Sequence, residues 1–184
     1  MRSAGFMRDL NALGLLAVTL VLAAALALQL VLGELPCPLC LLQRVGFVAV
    51  GFGLLLNLRF GPAPQHYGLV ILAALYGAAA AGRQVLLHII PGSGAYGSPL
   101  LGLHLYTWCL LLFLLAIAVS ALLLLVEGQF ERARTWPMPS WQRLVVGLYV
   151  GVTVLVGVSA FVECGPGECP DDPTGYWLFS RTQP

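Results

Sequence analysis

Residues 100–126 read LLGLHLYTWCLLLFLLAIAVSALLLLV, 27 positions without one Asp, Glu, Lys or Arg. A bilayer core about 30 Å thick needs roughly 20 apolar residues in helix, and this run meets that length. Four more stretches of the same kind lie around it: Leu10–Gly33, Leu39–Leu58, Gly68–Ile90 and Leu144–Val162. The breaks are Glu34-Leu35-Pro36, Arg59–Tyr67, Pro91–Pro99 and Glu127–Arg143, and Pro and Gly cluster there, where helices should stop. The pattern predicts an all-α integral membrane protein, a bundle of five transmembrane helices spanning about 10–33, 39–58, 68–90, 100–126 and 144–162.

Composition agrees. Hydrophobic residues make up 59% and charged residues 9%, whereas a soluble domain carries roughly 45–50% and about 25%. So little charge cannot cover a water-facing surface, and the lipid bilayer is the expected solvent for one membrane domain over 1–184. All nine basic residues are Arg, set against eight acids for a net charge of +1. No basic patch points to nucleic acid. Ala25-Leu26-Ala27 resembles a signal-peptide cleavage site, but apolar sequence runs on to Leu32, too long for a typical signal core.

Orientation follows the arginines. With the N-terminus inside, Arg2, Arg8, Arg59, Arg132, Arg134 and Arg143 lie on the cytoplasmic side. Only Arg181 lies outside, together with Glu34, Glu163, Glu168, Asp171 and Asp172. The tail 163–184 is therefore expected outside. Trp136 and Trp141 at one face, and Tyr106 and Trp108 toward the other, suit either interfacial belts or helix packing.

Four of the five cysteines fall on the outer side. Cys37-Pro38-Leu39-Cys40 opens the second span, and Cys164 and Cys169 follow the fifth. Two intervening residues make the small ring of redox motifs. Pro38 suits a first helical turn, which puts Cys37 near the N-cap, where the helix dipole favours thiolate. The other reading is a structural staple, although so short a loop constrains little. Cys164 and Cys169 form either an exchangeable disulfide or a tie on a surface tail. Zinc would suit two cysteine pairs, but the second spacing, the lack of an adjacent His and the oxidising compartment argue that no metal site exists. Cys109, inside the fourth span, reads as an inert small hydrophobe.

Arg44 lies four residues after Cys40, so Cys37, Cys40 and Arg44 form one helical stripe. An intramembrane Arg costs about 2.5–3.5 kcal/mol at mid-depth and is a functional candidate by default; from this depth it can also snorkel to the headgroups. Such a cation would stabilise an anion beside Cys40 or hold an electron-rich carbonyl, and a quinone head group fits both descriptions. In the third span Gln84 and His88 share a face and can donate to a bound carbonyl, whereas Arg83 points about 140° away from His88. His88 also reads as a simple interfacial side chain. Ala73, Gly77 and Ala81, and Gly147 with Gly151, are spaced for close helix approach.

The stretch Leu35–Arg44, LPCPLCLLQR, resembles the quinone-linked motif of the bacterial disulfide bond formation protein B family. There a Cys-x-x-Cys begins the second span and an Arg follows four residues later. Ala81–Pro91, AGRQVLLHIIP, is similar to the family's third-span ending, and the resemblance covers roughly residues 10–126. It implies a four-helix core, here with one added helix, in the bacterial inner membrane. It also implies a thiol:quinone oxidoreductase that returns a periplasmic thioredoxin-fold dithiol oxidase (DsbA-like) to its disulfide form and passes two electrons to ubiquinone or menaquinone.

By that match, Cys40 is the thiolate stacked on the quinone, Cys37 its disulfide partner, Arg44 the quinone-side cation and His88 a further quinone contact. One feature departs from the family, whose second cysteine pair usually lies in a longer loop between the third and fourth spans. Here Pro91–Pro99 is short and lacks Cys, and Cys164 and Cys169 are expected to take over the partner-facing exchange from the periplasmic tail. The reading from a different class is a non-enzymatic membrane protein that uses its cysteines for metal binding or transport.

Overall fold

A computed structural model of the chain describes residues 2–90, 97, 99–130, 138–171 and 173–180. Arg132, Arg134, Trp136, Asp172, Arg181 and the loop segment 91–96, on which some sequence expectations rest, lie outside the described residues. The elements are α1 (Arg2–Val31), α2 (Pro38–Phe60), α3 (Pro64–Leu87), α4 (Leu105–Leu124), a short 3₁₀ turn (Glu127–Gln129), α5 (Ser140–Cys164) and the single-turn α6 (Trp177–Ser180). The five long helices are each apolar and long enough to cross a membrane. Among the described residues no strand occurs, only one isolated bridge between Leu100 and Leu103.

Several boundaries depart from expectation, each for a local reason. Pro64 sits in the first turn of α3, where its missing N–H costs nothing, so that helix starts ahead of Gly68. His88 caps the other end of α3 and is not within it. Leu101 and Gly102 both take positive φ, +52° and +82°. The resulting tight turn delays α4 to Leu105, not Leu100. At the far end α5 runs on to Cys164 and stops at Gly165, whose φ of +66° breaks the helical path. Glu163 and Cys164 therefore belong to the helix, and the tail begins at Gly165 and not at 163.

α2 packs on α3, α3 on α4, and α1 on α2. α5 lies outside this group, against α1 and α2. Lipid tails are as apolar as the side chains they would replace, so close contact and hydrogen bonding must hold the helices together. Gly46 and Gly77 supply the close contact. A Cβ on Gly46 would lie 2.9 Å from the Gly77 Cα, and one on Gly77 would strike the Phe113 ring. The two glycines make a slot for Phe113 of α4, whose ring stacks on Phe47 with centroids 4.1 Å apart.

Ala73 and Ala81 are buried on the same helix, as their spacing predicts. Gly147 and Gly151 are a correction, because both face outward with nothing within 4 Å of a Cβ. α5 is docked instead by Tyr149, which lies over Gly51 and donates to the Val48 carbonyl at 2.6 Å.

The end of the bundle away from the cysteines is pinned by a polar network. Asn57 donates to Asn11 at 2.8 Å and accepts from the Ala63 N–H at 3.1 Å, with His66 Nδ1 3.0 Å from the same oxygen. Asn11 donates to the Tyr67 hydroxyl, which in turn donates to Gln129 at 2.9 Å. Each buried amide has found a partner, as the low dielectric demands.

Candidate functional site

α2 begins as Cys37 and Pro38 dictate. Cys37 is the N-cap with extended backbone (φ −69°, ψ 164°), and its sulfur accepts from the Cys40 N–H at 3.2 Å. One turn inward Cys40 presents its own sulfur. Gln84 of α3 meets both, its amide nitrogen donating to Cys37 Sγ at 3.3 Å and to Cys40 Sγ at 3.5 Å. Gln43 completes the group by donating to Gln84 Oε1 at 2.6 Å and to the Leu39 carbonyl at 3.1 Å. Gln84, expected as a donor to a bound carbonyl, is here engaged with the two thiols. The helix dipole led to a thiolate at Cys37, but the hydrogen bond with Cys40 and then burial hold the Cys37 thiol well above the ordinary range.

Arg44 does not snorkel. It is buried at 8% exposure and donates from Nη1 to Gln29 Oε1 at 2.6 Å and from Nη2 to the Ala25 carbonyl at 3.1 Å. Gln29 passes the connection on, its Nε2 donating to Glu163 Oε2 at 3.1 Å. Glu163 is also buried, although its sequence position placed it among the charges of the outer tail. The sequence reading missed Gln29 and Gln43 altogether. The available signal was chemical: an amide in an apolar span carries a desolvation cost that needs a partner.

Some of these groups border a cavity of about 700 Å³, within the 300–1,000 Å³ typical of small-molecule sites. Cys40, Gln43, Arg44 and Phe47 of α2 line it, with Gln84 and His88 from α3 and its cap. Facing them are Val21, Leu22, Ala25 and Leu28 of α1, and Leu105, Tyr106 and Cys109 of α4. The rim includes Glu34, Leu35 and Pro36 before α2 and Asp171 of the tail. Cys37 is buried behind Cys40 and does not line the cavity. Cys109, read as inert packing, is a free thiol that lines it.

The His88 ring lies 5.6 Å from Tyr106, and Tyr106 stacks with His104 at 5.3 Å. Arg83 is exposed on the opposite side of its helix, as expected. Cys164 and Cys169 are joined as a disulfide, while Cys37 and Cys40 are free thiols. The tail has a seat that the sequence did not reveal: the Trp177 ring packs over Gly165, where a Cβ would lie 2.5 Å away. Among the described residues no three His, Cys, Asp or Glu side chains come together to hold a metal.

The cysteine, amide and guanidinium arrangement has relatives. Residues 7–96 match the family described as Disulfide bond formation protein DsbB. A Disulfide bond formation protein B of Nitrosomonas eutropha is 41% identical over 111 residues, covering 55% of this chain and 68% of the relative. Proteins of the same name from Chromobacterium violaceum and Marinobacter nauticus are 48% and 45% identical, over 36% and 39% of this chain. The chain spans 43% and 45% of the length of those two. No solved structure matches the chain. The family match ends before α4, so α5 and the tail lie outside it. By the matched motif and the Nitrosomonas relative, the chain belongs to the disulfide bond formation protein DsbB family: it is a multi-pass bacterial inner-membrane oxidoreductase of disulfide bond formation.

Proposed function

We propose that the chain is a thiol:quinone oxidoreductase that reoxidises a periplasmic thioredoxin-fold dithiol oxidase and delivers the electrons to ubiquinone or menaquinone. The observation that carries this reading is that Cys40 and Arg44 border one cavity, with Gln84 bonded to both sulfurs of the Cys-x-x-Cys. The cavity suits a quinone head group. Its walls on α1 and α4 are apolar, those two helices make little contact with each other, and a lipid-soluble molecule can approach between them. Quinone bound there supplies the terminal oxidation: it takes up two electrons and two protons and leaves as quinol.

The rest is thiol–disulfide exchange. A thiolate of the reduced partner attacks the Cys164–Cys169 disulfide, and the partner's second thiol releases the mixed disulfide, leaving partner disulfide and tail dithiol. The tail dithiol then reduces a Cys37–Cys40 disulfide in the same two steps. Oxidation of the Cys37/Cys40 dithiol yields the two electrons and two protons that quinone takes. Gln84 holds both sulfurs in register through this cycle, and Arg44 supplies positive charge at the cavity wall, where low dielectric strengthens its hold on an anion. Asp171, two residues past Cys169, lies on the cavity rim, so the tail is within reach of the site. The arginine bias orients the N-terminus to the cytoplasm and the tail to the periplasm.

The test is anaerobic mixing of purified protein with quinone and a reduced Cys-x-x-Cys protein, followed by quinone absorbance. Wild type is expected to reduce quinone and Cys40→Ser to lose that activity. Equal rates in the two proteins, or none in wild type, refute the reading.

A further inference from the structure

The added helix α5 does more than return the tail to the cysteine side. Its last turn carries Glu163, which is 2% exposed at the buried end of the hydrogen-bonded chain Arg44–Gln29–Glu163. One carboxylate oxygen accepts from Gln29, and the other is buried without a hydrogen-bond partner among the described residues. A carboxyl group in such a place is costly unless it is held by donors or balanced by a cation. The cation whose field reaches it is Arg44.

The chemistry of the three groups sets the direction of the chain. A guanidinium only donates, an ionised carboxylate only accepts, and an amide has one end of each kind. Gln29 between them has one arrangement that satisfies both neighbours, with oxygen toward Arg44 and nitrogen toward Glu163. Glu163 thereby fixes the rotation of the Gln29 amide, and Gln29 with the Ala25 carbonyl fixes the plane of the guanidinium. Two of its five N–H donors are taken up on the α1 side, and the side chain borders the cavity.

We propose that Glu163 is a positioning residue for quinone binding, acting through Gln29 to hold Arg44 in the orientation that meets the quinone carbonyl. Resting on the quinone reading above, this makes α5 part of the acceptor site, outside the region matched to the family. Because the neighbour of Cys164 is the group that orients Arg44, the tail disulfide and the quinone cavity share one helix end.

The experiment uses full-length protein in detergent with a short-chain ubiquinone and a reduced thioredoxin-fold protein. Glu163→Leu removes the acceptor and is expected to raise KM for quinone about tenfold, equivalent to ~1.4 kcal/mol, with kcat retained. Glu163→Gln keeps an acceptor oxygen for Gln29 and is expected to recover most of that affinity. Gln29→Leu should reproduce the Glu163→Leu effect, which guards against a merely misfolded α5. In an Arg44→Met background, Glu163→Leu should change kcat/KM no further. An equal loss in that background, a fall in kcat with KM unchanged, or an unaltered KM overturns the positioning role while leaving the quinone reading intact. Wild type that fails to reduce quinone overturns both.

Discussion

The slot formed by Gly46 and Gly77 is the sharpest packing claim in the molecule, and Gly77→Ala tests it. A single methyl placed there would meet Phe113 at three ring atoms, all within 2.6 Å, against ordinary contact at 3.4–4 Å. The ring has little room to retreat: Phe113 is fully buried, stacked on Phe47, and also close to the Gly46 position. Overpacking of this kind costs about 1–3 kcal/mol, while Ala in a helix regains about 1 kcal/mol over Gly. The expected net destabilisation is up to ~2 kcal/mol. Phe113→Leu in the same chain opens the slot, so the double variant should be more stable than the two single effects added together. Unfolding in mild detergent, followed by circular dichroism across the four chains of the cycle, measures this coupling. If the two effects add without coupling, α2 and α3 do not approach as described. Phe47 also borders the cavity, so the same substitution should weaken quinone affinity.

Three other outcomes are expected. Cys164→Ser with Cys169→Ser should abolish oxidation of a protein dithiol, measured as partner disulfide formed, and unchanged turnover would refute the tail relay. The Cys37 thiol is raised above its ordinary range and stays protonated through neutral pH, so brief iodoacetamide treatment at pH 7 should leave it unmodified by mass spectrometry. Its reactivity should grow only as the pH is raised well above neutral; rapid labelling at pH 7 would contradict the hydrogen-bonded, buried setting. Asn57→Leu removes the hub between Asn11, Ala63 and His66 and should cost about 1–3 kcal/mol for the polar groups left unsatisfied, read as a lowered midpoint of thermal unfolding.

Membership of the DsbB family was legible in ten residues, Leu35–Arg44, because the spacing of two sulfurs and a guanidinium on one helix is local. The five-helix architecture was legible for an equally local reason: in lipid each backbone group must be satisfied within its own helix, so twenty apolar residues have little other choice. That Cys40 and Arg44 line one cavity also follows from their register on α2.

What the helices do to one another was not local. Gly147 and Gly151 had the spacing of a contact and face outward, while Gly46, Gly51, Gly53 and Gly77 make close approaches. Period alone cannot say which face of a uniformly apolar helix meets protein and which meets lipid. Glu163 read as a tail charge because an acid after an apolar run suits water equally well. Only the docking of α5 against α1 brings it to Gln29, 134 positions away in the chain, and so to Arg44. Chemistry carried by neighbours along one helix was determined by the sequence itself. Chemistry shared between helices was decided by tertiary packing, because a polar side chain in a membrane takes its meaning from the partner that removes its desolvation cost.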